Sequence, residues 1–144
     1  MPTESTLAQY PVLAVCVAIW KDDKILLVKR AHEPNNGLWA LPGGKVEAGE
    51  TITEAALREL SEETNLQASA ENIFFIREII EERFHYVLHC VRAEDPIGTL
   101  QAGDDAAEAQ WMSVPDVRAA ETVAGLADIL ELSRSRTGLP LQNT

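Results

Sequence analysis

Basic residues are scarce: the 144-residue chain carries 12 Lys and Arg against 23 Asp and Glu, a formal net charge of −11. A surface this acidic repels nucleic-acid backbones, which proteins grip through Lys and Arg, so no nucleic-acid partner is expected. It repels a free phosphate substrate for the same reason. An anionic substrate would therefore need a divalent cation to supply the missing positive charge. Cysteine is scarce too. Cys16 and Cys90 are the only two, both within apolar strand-like segments and neither in Cys-x-x-Cys spacing. That argues against a zinc site or a redox motif and for two small core residues. No apolar run reaches ~18 residues, which argues against a membrane span. The strongest run, 12–20, is too short for a span and lacks the basic start of a secretion signal. Reduced cysteines and no signal together point to the cytoplasm. Repeats, linkers and low-complexity tracts are absent, and the length suits one domain over 1–144. A loose leader at 1–9 and a frayed tail at 136–144 are expected to flank it.

What is present is a mixture of strand and helix signals. Pro11 opens the apolar run to Trp20, Lys21-Asp22-Asp23 is a turn, and 24–30 is a second strand, giving a hairpin. A loop over 31–37 holds Pro34, Asn35, Asn36 and Gly37, and a short extended piece at 38–41 is broken by Pro42-Gly43-Gly44. Thr51 followed by Glu54 matches a capping box, so a helix is predicted over 52–64, with Asn65 as its left-handed stop. Two long strands are predicted at 73–80 and 84–92, a polar loop over 94–105, and a short strand at 109–113. Pro115 opens a short helix to Ala120. Thr122 is the predicted cap of a last helix reaching about Arg134, with Leu126, Ile129, Leu130 and Val123 on its apolar side. Hairpin-connected strands with two or three helices indicate an α/β or α+β domain with helices packed on a sheet.

On a helix of roughly 100° per residue, Thr53, Ala56, Leu57, Leu60 and Thr64 fall on one side and Arg58, Glu59, Glu62 and Glu63 on the other. Glu59 is then a neighbour of both Glu62 and Glu63, and Arg58 pairs with Glu62 at i,i+4. Three adjacent carboxylates repel one another, and a hard divalent cation removes that penalty. On the helix alone, a Mg²⁺ or Mn²⁺ site and a solvated acidic face are equally good readings.

The preceding residues add information. Leu41-Pro42-Gly43-Gly44 leads through Lys45-Val46-Glu47-Ala48-Gly49 to Glu50, and then comes Arg58-Glu59-Leu60-Ser61-Glu62-Glu63-Thr64-Asn65-Leu66. This closely resembles the Nudix hydrolase signature. Gly44, Glu50, Arg58, Glu59, Leu60, Glu62, Glu63 and Leu66 stand at its fixed places. Asn65 replaces the usual Gly, a mild departure at a left-handed helix end. The resemblance implies an α/β/α sandwich around a mixed sheet and a loop–helix–loop that holds Mg²⁺ or Mn²⁺. It implies Glu59, Glu62 and Glu63 as metal ligands, joined by the carbonyl of Gly43 or Gly44. Arg58 is implied to orient the carboxylates, and Glu50 to brace Arg58.

The implied reaction is attack by water on one phosphorus of a diphosphate, with a carboxylate accepting the proton. Glu59 is one candidate. Glu108 is another, since the segment 104–111 resembles the region where many family members place a further acidic residue; a plain polar loop is an equal reading. Arg30 ends a strand near the loop before Trp39 and either holds a phosphate oxygen or is an ordinary surface Arg. Trp39 either stacks on a base or plugs the core, and the core reading is preferred. His85 and His89 share a strand face without a third ligand and are read as ordinary sheet positions. Three functions follow from the resemblance. The first is hydrolysis of ADP-ribose or a similar ADP-sugar to AMP and a sugar phosphate, to which the segment 103–109 with Trp111 is similar. The second is a pyrophosphatase clearing oxidised nucleoside triphosphates. The third, a nucleotide sensor without turnover, is disfavoured because the box carboxylates are complete. A small-molecule nucleotide is the expected partner, and a homodimer the prior for such enzymes.

Overall fold

Strict alternation in the first strand divides the molecule into two cores. In β1 (Val12–Lys21), Val15, Val17 and Ile19 face one side and Cys16 and Ala18 the other, and all five are buried. The computed structural model describes residues 10–103 and 105–134 and the backbone of 139–140. The expected leader and most of the expected frayed tail lie outside them.

β1 is the hub of an eight-stranded mixed sheet that also contains β2 (Lys24–Arg30), β3 (Trp39–Ala40), β4 (Gly43–Lys45), β5 (Gln67–Glu81), β6 (Phe84–Ile97), β7 (Ala106–Ser113) and β8 (Leu139–Pro140). The order is β3-β2-β1-β6-β5-β8, with β4 added on β1 and β7 on β2. β1 runs parallel to β6 from Val12↔Tyr86 to Ile19↔Ala93 and antiparallel to β4 and β2. Helix α1 (Ile52–Thr64) closes one face with Ala55, Ala56 and Leu60 against Val15, Val17, Ile19, Leu26 and Val91. Helices α2 (Val114–Ala119) and α3 (Leu126–Ser133) close the other with Val117, Leu126, Ile129 and Leu130 against Ala18, Ile25, Leu27 and Met112. The result is the expected α/β/α layering around a mixed sheet. Leu60 is fully buried, and truncating such a residue costs about 2–5 kcal/mol. No helix among the described residues is long and apolar enough to cross a membrane.

The central helix has the predicted bounds for the predicted reasons. Thr51 Oγ1 accepts from the Glu54 amide at 3.1 Å, and Glu54 Oε1 accepts from the Thr51 amide at 2.9 Å. Asn65 follows at φ 65°, its N–H donating to the Ser61 carbonyl at 2.9 Å.

Other boundaries differ. β5 begins at Gln67 rather than 73 and β6 runs on to Ile97 into the expected polar loop. Register shifts between Gln67/Ser69, Ala70/Asn72 and Ile73/Phe75 reset the inside–outside alternation three times, erasing the period that marks a strand. β7 likewise starts at Ala106, before the predicted 109. Pro42-Gly43-Gly44 does not simply break the chain: Gly43 and Gly44 enter β4 opposite Cys16 and Val15. A Cβ on Gly43 would overlap the Val15 carbonyl, so glycine here serves a close strand approach. Thr122 does not cap α3. It bridges to Trp39, and Gly125 at φ 84° occupies the cap position with no side-chain hydrogen bond. At 139–140, within the expected frayed tail, β8 pairs with β5 at Asn72 and Ile73.

Candidate active site

The loop before α1 and the helix itself are held together by one arginine. Arg58 Nε donates to Glu50 Oε2 at 2.6 Å and Nη2 to Glu50 Oε1 at 3.0 Å, a two-pronged pair that uses the planar guanidinium fully. Nη2 also donates to the Lys45 carbonyl at 3.0 Å, fixing the end of β4. Nη1 reaches Glu59 Oε2 at 3.0 Å and Glu62 Oε1 at 3.2 Å. The Glu50 carboxylate is held below its usual range, first by Arg58 and then by the Glu47 amide, while Glu50 raises the proton affinity of Arg58. Arg58 thus contacts Glu50, Glu59 and Glu62 at once.

The three box carboxylates differ in environment. Glu62 is 44% exposed and its side chain is drawn out to Arg58. Glu59 is 13% exposed. Glu63 is 9% exposed and lies in the buried set of α1, not on an open face with Glu62 as the helical projection suggested. The reason is β4, which covers that flank of the helix: Gly43 N–H faces Glu63 Oε1 at 3.4 Å. Burial pushes Glu63 up to about 8, aided by a hydrogen bond to Glu59, and burial also raises Glu59.

Among the described residues, no trio of Asp, Glu, His or Cys is gathered to hold an ion as it stands. The residues nevertheless suit Mg²⁺ or Mn²⁺. The donors are all oxygens, and two of them belong to carboxyls whose proton affinity burial raises, a penalty on their charged forms that a cation would relieve. Gly44 leaves the space into which the Glu59 carboxylate projects; a Cβ there would overlap it. Glu59, Glu63 and the Gly44 backbone would hold such an ion, with Glu62 at the solvent edge.

A consequence can be measured without substrate. Glu63 binds its proton more tightly folded than unfolded, so its contribution to stability is full below 4.5 and is lost as pH rises through about 8. In EDTA, the melting temperature is expected to fall by several degrees between pH 5 and pH 8. Glu63→Gln should flatten that slope, and Mg²⁺ or Mn²⁺ should offset it in the unaltered chain only. A slope unchanged by Glu63→Gln would refute the assignment.

The remaining candidates divide. Arg30 ends β2, donates from Nε to the Pro34 carbonyl at 2.8 Å, and lies near enough to Glu63 for its charge to favour the carboxylate. It belongs to the neighbourhood of the box. Trp39 packs partly buried against the α2–α3 core, and its backbone joins Glu121 and Val123, in line with the core reading. Glu108 is paired with Lys29 at 3.6 Å, its register partner across β2–β7. Its neighbour Asp104 lies outside the described residues. His89 Nδ1 sits 3.2 Å from the Ala14 carbonyl and His85 Nε2 3.6 Å from Glu78, ordinary sheet environments as expected.

Two features were not anticipated. The segment 101–103 is fastened to the end of α1, with Gln101 N–H on the Thr64 carbonyl at 3.0 Å and Gly103 N–H on the Glu63 carbonyl at 3.1 Å. Cys16 and Cys90, 74 positions apart, meet with their sulfurs 2.9 Å from each other. Nothing in the spacing of either pair of segments announces these contacts, which depend on sheet order.

The profile of the NUDIX domain matches residues 10–132. The chain belongs to the Nudix family. An ADP-ribose pyrophosphatase of Methanocaldococcus jannaschii is 44% identical over 108 residues, 73% of this chain and 63% of that protein. A human 8-oxo-dGDP phosphatase is 31% identical over 140 residues, 92% of this chain and 42% of that protein. The chain therefore spans less than two thirds of the length of either relative. A MutT NUDIX hydrolase structure from Burkholderia pseudomallei superposes with a TM-score of 0.79 at 26% identity, covering 86% of this Nudix chain and 98% of that one.

Proposed function

We propose that this Nudix chain hydrolyses a phosphoanhydride bond in a nucleoside diphosphate linked to another group, with ADP-ribose or a similar ADP-sugar as substrate and AMP plus a sugar phosphate as products. The observation that carries the reading is the pair of partly buried Glu59 and buried Glu63 beside an Arg58 that gathers Glu50, Glu59 and Glu62. When bound, Mg²⁺ or Mn²⁺ would neutralise phosphate oxygens and acidify water. The chain's own groups do the rest. Arg58 and Glu50 fix the box, Glu59 is the candidate to accept the proton, and Arg30, whose charge is felt at Glu63, would meet a phosphate oxygen. Glu108 could join them only by leaving Lys29. A small-molecule nucleotide is the partner this site suits, and a cytoplasmic homodimer completes the reading.

The archaeal relative's name supports the ADP-ribose choice. The human relative's name supports a second reading, in which oxidised nucleotides are cleared. A panel assayed with Mg²⁺ and with Mn²⁺ separates them. Release of AMP from ADP-ribose should exceed release of diphosphate from 8-oxo-dGTP and ordinary triphosphates, and EDTA should abolish both. Faster turnover of a triphosphate would overturn the substrate assignment, and no turnover of any diphosphate or triphosphate would overturn the activity.

A further inference from the structure

Cys16 and Cys90 are register partners on β1 and β6, adjacent parallel strands. Both are buried, Cys90 completely and Cys16 at 7% exposure, and Cys16 Sγ lies 2.9 Å from Cys90 Sγ. Neighbouring strands are spaced about 4.8 Å apart, within the Cα separation that a disulfide tolerates. The mechanism above uses neither sulfur. The other flank of Cys16 is the box. Its register partner on β4 is Gly43, whose amide faces Glu63 Oε1 at 3.4 Å, and the next residue, Val17, donates to the Pro42 carbonyl at 2.8 Å.

We propose that Cys16 and Cys90 are a site of reversible oxidation, forming an intramolecular disulfide with a peroxide as oxidant, and that the crosslink acts on the box through β4. One thiol loses its proton and its sulfur attacks the peroxide, giving a sulfenic acid and a hydroxide that takes up that proton to become water. The second sulfur then displaces water from the sulfenic sulfur. Two S–H bonds are lost, one S–S bond forms, and hydrogen peroxide becomes two waters. Joining the sulfurs requires them to close from 2.9 Å to a bond of about 2.05 Å. The side chains take up part of that closure, and the part that falls on the backbone draws β1 toward β6 and away from β4. The strand carrying Gly43 and Gly44 must follow or part from it, and either motion reaches Glu63 and Glu59. The thiol of Cys16 is held protonated by its contact with Cys90 and by burial, so the reaction should be slow, in the manner of a response to sustained oxidation.

The first half of the proposal stands independently of the activity; the second half rests on the function proposed above. The folded full-length chain is treated with hydrogen peroxide, then alkylated in denaturant and weighed. The expected result is loss of two hydrogen masses, no alkyl label, peptides of Cys16 and Cys90 joined, and full reversal by dithiothreitol. Two labelled thiols after treatment, or oxygen added to one cysteine without crosslinking, would overturn the site. The coupling is read from the melting-temperature rise produced by Mn²⁺ alone, and from turnover. Both should fall several-fold in the crosslinked chain and recover on reduction, while Cys90→Ala and Cys16→Ala should keep their Mn²⁺ response through the same treatment. An equal Mn²⁺ response in the crosslinked and reduced chains would refute the coupling while leaving the crosslink intact. Failure of turnover in the reduced chain would count against the proposed function, with the mass result unaffected.

Discussion

Glu62→Gln is expected to lower turnover by about 10²-fold or more and to leave the melting temperature within about 2 °C of the unaltered chain. The two effects separate because of where the side chain sits. Glu62 is 44% exposed, and its hydrogen bond with Arg58 at 3.2 Å is an i,i+4 surface pair, a kind worth only about 0.3–0.5 kcal/mol. Nothing in the core depends on it. Its charge is another matter: a box short of one carboxylate binds a divalent ion more weakly and holds it less firmly against phosphate, and an amide of the same shape restores neither. The check is a steady-state assay at saturating Mn²⁺ beside a thermal melt. Wild-type turnover in the variant would remove Glu62 from the site. A collapsed melt would reassign it to stability.

Gly44→Ala and Gly43→Ala should fail in opposite ways. A methyl on Gly44 would overlap the carboxylate of Glu59, the far end of a flexible side chain that can swing aside. The fold should survive with a cost of about 1 kcal/mol, while Glu59 is driven from Arg58 and Glu63 and turnover falls about 10²-fold. A methyl on Gly43 meets the Val15 carbonyl and the Cys16 Cα, backbone that cannot yield without parting β4 from β1. That variant should lose about 2–3 kcal/mol of stability, visible as a lowered denaturant midpoint. Equal melting curves for the two variants would refute the distinction.

Local rules in the sequence were enough to read the helix, because everything that defines α1 is contiguous: a capping box, an apolar stripe and an asparagine stop. The β1–β2 hairpin was legible for the same reason, with β2 keeping its predicted bounds and β1 only a shifted start and end. The box residues were readable because their long fixed spacings resemble a known pattern. The environment of Glu63 was not, since its burial comes from β4, a three-residue strand containing two glycines that carries no alternation of its own. The early start of β5 was hidden by its bulges. The Arg30–Glu63 proximity and the Cys16–Cys90 contact depend on which strands lie side by side, and the parallel pairing of β1 with β6 leaves no trace in either segment read alone. Thr122 misled because a good capping residue stood three positions before the glycine at which the helix begins.

Asn65, standing where the Nudix signature has glycine, does more than tolerate its dihedral angle. Its side-chain amide grips the Thr99 carbonyl at 2.9 Å, and together with the Gln101 and Gly103 amides it rivets the last turn of the helix to the segment leading into β7. The acidic scaffold and the loop that borders it therefore behave as a single mechanical piece. Substrate choice, in so far as that border governs it, cannot be retuned by grafting the loop alone: the graft must also bring a partner for the asparagine, or return the position to glycine and let the joint go slack.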